Sequence, residues 1–161
     1  MRVRPPAEVR ARAGRDRLLG WTASGTSSVV ATDTALLLPV GEEPERVPWD
    51  LVLRVTWNED AVEITAQASP GGRPVTHRVP VGRELGGLPD VVRERVNASI
   101  VVQHHVELEG ERGARLVARR APGSSDLRWS VVFDAGLDPS DPDLRERADR
   151  ALADLRASLG I

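Results

Sequence analysis

Three histidines are the residues of this chain best suited to acid–base chemistry or metal binding. His77 and His104 each fall on the apolar face of a strand predicted from alternating hydrophobicity, whereas His105 falls on the opposite face. Two imidazoles brought together by the fold would be able to bind a metal ion or shuttle a proton. A metal site needs further ligands at suitable spacing, and the neighbouring sequence supplies none. We therefore predict core or core-edge roles for His77 and His104 and a solvated His105. A small-molecule site or an enzyme using His77 and His104 is the alternative.

Three aspartates, Asp138, Asp141 and Asp143, have a spacing that suggests a calcium loop. An EF-hand loop also requires a glycine at its sixth position, and here the glycine is missing and two prolines interrupt the loop. A helix that begins at Pro142 explains the same residues, with Ser140 or Asp141 as its N-cap and acidic residues in its first turn. The sequence thus predicts a helix start here, with no metal and no cofactor.

The residue types that are absent exclude several classes of enzyme. All 22 basic residues are arginine, and lysine, cysteine and tyrosine do not occur. Without lysine there is no Walker-type phosphate-binding loop and no Schiff-base chemistry. Without cysteine there is no thiolate nucleophile, disulfide or cysteine-ligated zinc. The sequence therefore predicts no catalytic residue and favours a protein that is not an enzyme.

The charge of the chain is small but unevenly distributed. The net charge is −2, and residues 1–17 contain six arginines against Glu8 and Asp16. Nucleic-acid binders usually carry a strongly basic domain, so we predict no nucleic-acid partner. The basic N-terminal residues leave peripheral membrane contact as an alternative. No apolar run approaches the roughly 20 residues that cross a bilayer, which favours a cytoplasmic protein.

Short strands separated by turn residues are the elements that must position these side chains. Strands are predicted at Arg17–Ser24, Ser27–Thr32, Ala35–Val40, Leu51–Trp57, Ala61–Ala68, Pro74–Val81, Val101–Leu108, Ala114–Arg120 and Leu127–Phe133. The composition of Gly41–Arg46 predicts a loop. Apolar residues at helical spacing predict helices over Leu88–Ile100 and Pro142–Leu159. The pattern is typical of a sandwich or barrel covered by helices.

The order of elements through residue 100 resembles the bacterial pleckstrin-homology-like domain. The residues that carry the resemblance are Val29-Val30-Ala31-Thr32-Asp33, Leu36-Leu37-Leu38 and Val47-Pro48-Trp49. Residues 88–102, 117–123 and 136–148 resemble an actinobacterial family of the same length. The resemblance implies an α+β fold: a pleckstrin-homology-like antiparallel barrel or curved sheet with a capping helix, here extended by three strands and a C-terminal helix.

The resemblance also implies an organisation and a class of function. We expect a basic N-terminal arm at 1–15, the barrel and its helix at 16–103, and a strand–helix extension at 104–161 packed on the same domain. Phosphoinositide binders with this fold carry basic clusters in the first hairpin, and residues 24–33 contain no basic residue. The scaffold instead favours a non-enzymatic cytoplasmic protein-interaction module with a protein partner, although a fold does not settle function.

Five residues are candidates for partner binding. Arginines concentrate in the later strands at Arg112, Arg115, Arg119 and Arg120, and a guanidinium is suited to bidentate binding of carboxylate or phosphate. A solvated sheet face that pairs these arginines with nearby glutamates is the alternative. Trp49 follows a proline and is predicted at a rim, where an indole can anchor a partner.

Overall fold

The computed structural model describes residues 4–22, 28–39, 45–69, 72–82 and 85–161, and these residues form an α+β fold. The chain divides into two compact units. The first unit comprises Met1–Ser99 and Arg120–Asp126, and the second comprises Ile100–Arg119 and Leu127–Ile161. In the described residues, ten strands form three antiparallel sheets, accompanied by three α-helices. The α+β class predicted from the sequence is thus confirmed.

The first sheet belongs to the first unit and is covered on both faces. Helix α1 (Ala7–Ala13) precedes strands β1 (Leu18–Trp21), β2 (Val30–Thr32), β3 (Ala35–Leu38) and β4 (Glu45–Pro48), which pair in chain order. Leu36 and Leu38 enter the main core, whereas Leu37 on the other face packs with Val30 and with Val9 of α1. A continuous apolar run is the pattern expected of a strand that is buried on both sides.

The second sheet and one helix complete the core of the first unit. A short 3₁₀ helix (Trp49–Leu51) leads into β5 (Val52–Trp57), β6 (Ala61–Gln67) and β7 (Pro74–Pro80), which pair in chain order. Helix α2 (Leu88–Ser99) follows and buries Leu88 and Val92 in the same core. Strand β6 alternates as predicted, because Val62, Ile64 and Ala66 are buried and the intervening residues are not.

The second unit is a three-stranded meander with one helix. Strands β8 (Ile100–Glu109), β9 (Arg112–Arg120) and β10 (Leu127–Phe133) have the order β10-β9-β8, and α3 (Pro142–Leu159) follows them. Leu108, Ala114, Leu144 and Ala148 form its buried core. The side chain of Asp141 accepts hydrogen bonds from the backbone N–H groups of the first helical turn. The predicted helix start at Pro142 is therefore confirmed, and its cap is Asp141 rather than Ser140.

Three features differ from the sequence-based expectations. The described strands form separate sheets and do not close into a barrel. The N-terminal segment, predicted as an arm with a helical turn after Pro5 and Pro6, forms the seven-residue helix α1, whose Val9 and Ala13 are buried because apolar residues four apart share one helix face. The predicted loop Gly41–Arg46 ends in a strand, since β4 pairs with β3 along its whole length. Residues 41–44 of this loop lie outside the described part of the chain. Residues 23–27, which include the ends of two predicted strands, and Val40, the end of a third, also lie outside it.

The boundary between the units also differs from the predicted one. Strand β8 begins at Ile100, directly after α2 ends at Ser99, so a boundary between 103 and 104 would cut through this strand. Among the residues that the structure describes, no helix is long and apolar enough to cross a membrane.

Candidate binding groove

A groove between β5 and α2 in the first unit combines apolar and polar side chains. Its volume is about 290 Å³. The strand wall includes the consecutive residues Leu53, Arg54 and Val55. Alternate residues of a strand point to opposite faces, so a groove lined by consecutive residues follows the strand's edge. We define this surface as the β5–α2 groove.

Local sequence explains both walls of the β5–α2 groove. On the strand, Val55 and Trp57 are partly buried and pack against the main core. On the helix, Val92, Arg93, Val96 and Asn97 line the groove together, since residues three and four apart share one face of a helix. Pro89 is in the first turn of α2, where a missing N–H costs no intrahelical hydrogen bond. The groove therefore has an apolar floor and a polar rim.

The rim of the β5–α2 groove carries one arginine without an ion pair in the described residues. Arg93 Nη2 lies 2.7 Å from Asp90 Oδ1, and both side chains are largely exposed. Such a surface pair contributes little to stability. Arg54 is exposed and makes no ion pair with any residue that the structure describes. Its guanidinium can therefore bind a carboxylate without breaking an existing ion pair.

The two edges of the second sheet differ in their suitability for a further strand. Strand β7 contains Pro74 and Pro80, which lack an N–H, and its Arg78 is held by Asp60 and Glu63. Prolines and charges are the usual means of protecting a sheet edge. In the described chain β5 pairs only with β6, and it contains no proline. The groove thus lies beside the unprotected edge.

Two of the five residues predicted to bind a partner are buried. Trp49 is 1% exposed, and its indole N–H donates a 2.9 Å hydrogen bond to the carbonyl of Thr32. It is a core residue and not a rim anchor, because the short helix after Pro48 turns it inward. Arg119 is 7% exposed, so its side chain does not belong to a solvated sheet face.

The other three predicted arginines are exposed and are divided between the two units. Arg112 and Arg115 belong to the second unit, whereas Arg120 belongs to the first. Arg112 and Arg115 lie on the same strand, and the guanidinium of Arg112 approaches the backbone of Gly136.

The histidines belong to different compact units. His77 is in the first unit, where its Nε2 lies 3.3 Å from Glu45 Oε2. His104 is in the second unit and is exposed, although the sequence placed it on an apolar face. No cluster of three potential metal ligands occurs among the described residues. Asp138 instead accepts two hydrogen bonds from Ser140, which hold the pKa of its carboxyl below the usual value.

A histidine–aspartate pair in the second unit is organised by a glycine. His105 Nε2 lies 2.8 Å from Oδ2 of Asp134, and the same oxygen accepts the backbone N–H of Gly113 at 2.8 Å. Gly113 is on the central strand β9, between β8, which carries His105, and β10, which Asp134 follows directly. The hydrogen bonds from His105 and from Gly113 hold the pKa of Asp134 below its usual value. The sequence predicted a solvated His105 and gave no sign of this partner.

Replacing Asp134 with asparagine is expected to make the stability of the second unit less dependent on acid pH. A carboxyl whose pKa is lower in the folded state stabilises the fold above its ordinary pKa of about 3.9, and this contribution disappears as the pH falls through the folded pKa. The wild type should therefore melt at a higher temperature than Asp134→Asn at pH 7, and the two should converge in strong acid. Thermal melts across this range measure the difference. Asp154→Asn, a change at an exposed position of α3, is the control, and parallel curves for all three proteins would contradict the prediction.

Comparison with known proteins identifies no relative from which a site can be transferred. No protein-family model, curated protein or solved structure matches the chain.

The β5–α2 groove was missed at the sequence level because its residues resemble ordinary core positions. The alternation of β5 and the helical stripe of α2 are both visible in the sequence. The partial burial of Trp57 and of Val96 becomes apparent only when the strand edge and the helix are placed side by side. An arginine at an outward position of an otherwise apolar strand, Arg54, was the one available signal.

Proposed function

We propose that the chain is a non-enzymatic protein-interaction module whose β5–α2 groove binds an extended segment of a partner protein. The observation that carries the proposal is the coincidence of an apolar groove with the edge of β5 from Leu53 to Trp57. A peptide bound in this way adds a strand to the sheet through main-chain hydrogen bonds, and its alternate side chains enter the neighbouring groove. The amide of Asn97, the aliphatic side chains and the arginine guanidinium groups of the groove offer polar and apolar contacts to such a peptide.

The chemistry of the groove restricts the partner segment. Val55, Trp57 and Val96 offer an apolar floor to an aliphatic side chain. Arg54 at the rim favours an acidic residue nearby, and Asn97 can pair with a backbone or side-chain amide. We therefore expect an extended segment in which an aliphatic residue is accompanied by aspartate or glutamate.

A pleckstrin-homology-like identity for the first unit and a cytoplasmic location are part of the same proposal. Seven strands in two antiparallel sheets followed by one helix support the fold assignment, because the resembled domain has the same order of elements. The alternative site using His77 and His104 has less support, since His104 is exposed and no cluster of three potential metal ligands occurs among the described residues. Membrane contact through the N-terminal arginines is an alternative that the experiment below separates from peptide binding.

Selection of peptides from a random linear display library against the full chain tests the proposal. Enriched peptides should carry the aliphatic and acidic residues described above, and they should bind Arg54→Glu about tenfold more weakly than the wild type. Hydrogen exchange should show slower exchange of the β5 amides in the complex, because strand addition engages them.

Arg73→Glu provides a matched charge reversal outside the groove. Arg73 is exposed in the first unit and does not line the β5–α2 groove. Peptide affinity should be unchanged in this variant. The proposal fails if no peptide is enriched, if both variants lose affinity equally, or if the chain binds anionic vesicles and the enriched peptides do not protect β5.

A further inference from the structure

A second cleft in the first unit lies along β1, away from the β5–α2 groove. Three parts of the chain form it: Arg4 and Pro5 before α1, strand β1 itself, and Gly86 and Gly87 before α2. Its volume is about 1160 Å³. Pockets that hold small molecules commonly have volumes of about 300–1,000 Å³, so the cleft is large enough for such a ligand.

Three of the residues that line this β1 cleft are glycines: Gly20, Gly86 and Gly87. Gly20 faces the first turn of α2 so closely that a Cβ there would lie 3.2 Å from Leu88 Cδ1. Glycine at this position lets the helix start approach the strand. A Cβ at Gly87 would meet no atom within 4 Å, so the cleft is open at that residue. The pairing of β1 with β2 is also irregular between Leu18 and Gly20, which leaves Leu19 outside the regular ladder.

The β1 cleft combines apolar walls with two arginines. Leu18, Leu19 and Trp21 line it and are partly buried. Arg4 and Arg17 line it and are exposed, and no acidic residue is among the described residues of its wall. Neither guanidinium has an ion pair or a side-chain hydrogen bond in the described part of the chain. The neighbouring carboxylate of Asp33 accepts the main-chain N–H of Arg17 instead.

We infer that the β1 cleft binds a small amphiphile that carries one anionic group, a carboxylate or a phosphate, on an apolar body. The two guanidinium groups select the anion, since arginine binds carboxylate and phosphate through paired N–H donors. The leucines and the indole of Trp21 contact the apolar body. The ligand is either a free molecule or the head group and chain of a membrane lipid, because both present this chemistry.

A dansyl-labelled fatty acid and its methyl ester test the inference with the full chain. The acid should bind the wild type about tenfold more tightly than the uncharged ester, as expected for one charge-assisted contact. Arg17→Gln should reduce this difference, since Arg4 remains in the cleft. Gly87→Trp should block both ligands, because Gly87 lines the cleft and a Cβ there meets no atom within 4 Å.

Arg10→Gln is the matched control, because Arg10 is an exposed arginine of α1 that does not line the cleft. It should leave both affinities unchanged. Flotation with vesicles containing phosphatidylserine distinguishes a lipid from a free ligand: flotation that Gly87→Trp abolishes indicates a lipid, and binding of the free acid without flotation indicates a soluble ligand. The inference is wrong if acid and ester bind equally, if neither binds, or if Arg10→Gln has the effect expected of Arg17→Gln.

Discussion

Replacing Gly113 with alanine is expected to destabilise the second unit by about 3 kcal/mol or more, in the upper range for overpacking a core. A Cβ at this position would lie 1.7 Å from the carbonyl oxygen of Val106 and 2.9 Å from Cα of Glu107. The clashing atoms belong to the backbone of β8, so no side-chain rotation relieves the clash. Moving β9 away would break the hydrogen bond from the Gly113 N–H to Asp134. It would also disrupt the pairing of β8 with β9, which is already irregular between Glu107 and Glu109.

Hydrogen exchange and urea denaturation of the full chain measure this effect. The amides of β8 and β9 should exchange faster in Gly113→Ala, while those of β6 in the first unit should be unaffected. Gly87→Ala is the control, since a methyl group there meets no neighbouring atom. Equal denaturation midpoints for the two variants would show that β9 accommodates the added methyl group.

Replacing Trp49 with alanine should destabilise the first unit by about 4 kcal/mol, within the range for truncating a buried aromatic residue. Trp49 is among the largest fully buried side chains, and it lies in the core to which both sheets and α2 contribute. The truncation leaves a cavity and removes the hydrogen bond to the carbonyl of Thr32, a residue with no exposed surface. Trp49→Phe fills most of the volume and should cost about 1–3 kcal/mol for the unpaired carbonyl.

Urea denaturation monitored by far-ultraviolet circular dichroism distinguishes these variants. Val75→Ala, at a side chain that is 46% exposed on β7, should change the free energy of unfolding by less than about 0.5 kcal/mol. A midpoint for Trp49→Ala close to that of Val75→Ala would place Trp49 at the surface, as the sequence had suggested.

The sequence predicted elements with strong local patterns and missed those that depend on distant contacts. Strand β10 and helix α3 have the predicted bounds because their apolar spacing and flanking turn residues are local signals. Strand β4 was missed, since its Glu-Arg-Val-Pro sequence does not alternate and it is a strand only through pairing with β3. The separation into three sheets was also unpredictable, because pairing between strands is not encoded in the period of any one strand.

The candidate sites were harder to predict than the fold. Trp49 follows a proline, which is compatible with either a rim or a core, and only the position of the short 3₁₀ helix decides between them. The contact between His105 and Asp134 spans 29 residues and depends on a glycine in the strand between them. The β5–α2 groove depends on two half-buried walls, whereas sequence patterns separate only inward from outward positions.

Both units consist of two separate stretches of the chain, and this has a consequence for recombination of the gene. The Arg120–Asp126 segment belongs to the first unit although the residues on both sides of it belong to the second. Neither unit therefore corresponds to one uninterrupted stretch of the gene. Recombination that transferred codons 1–99 alone would leave behind a part of the unit that they encode.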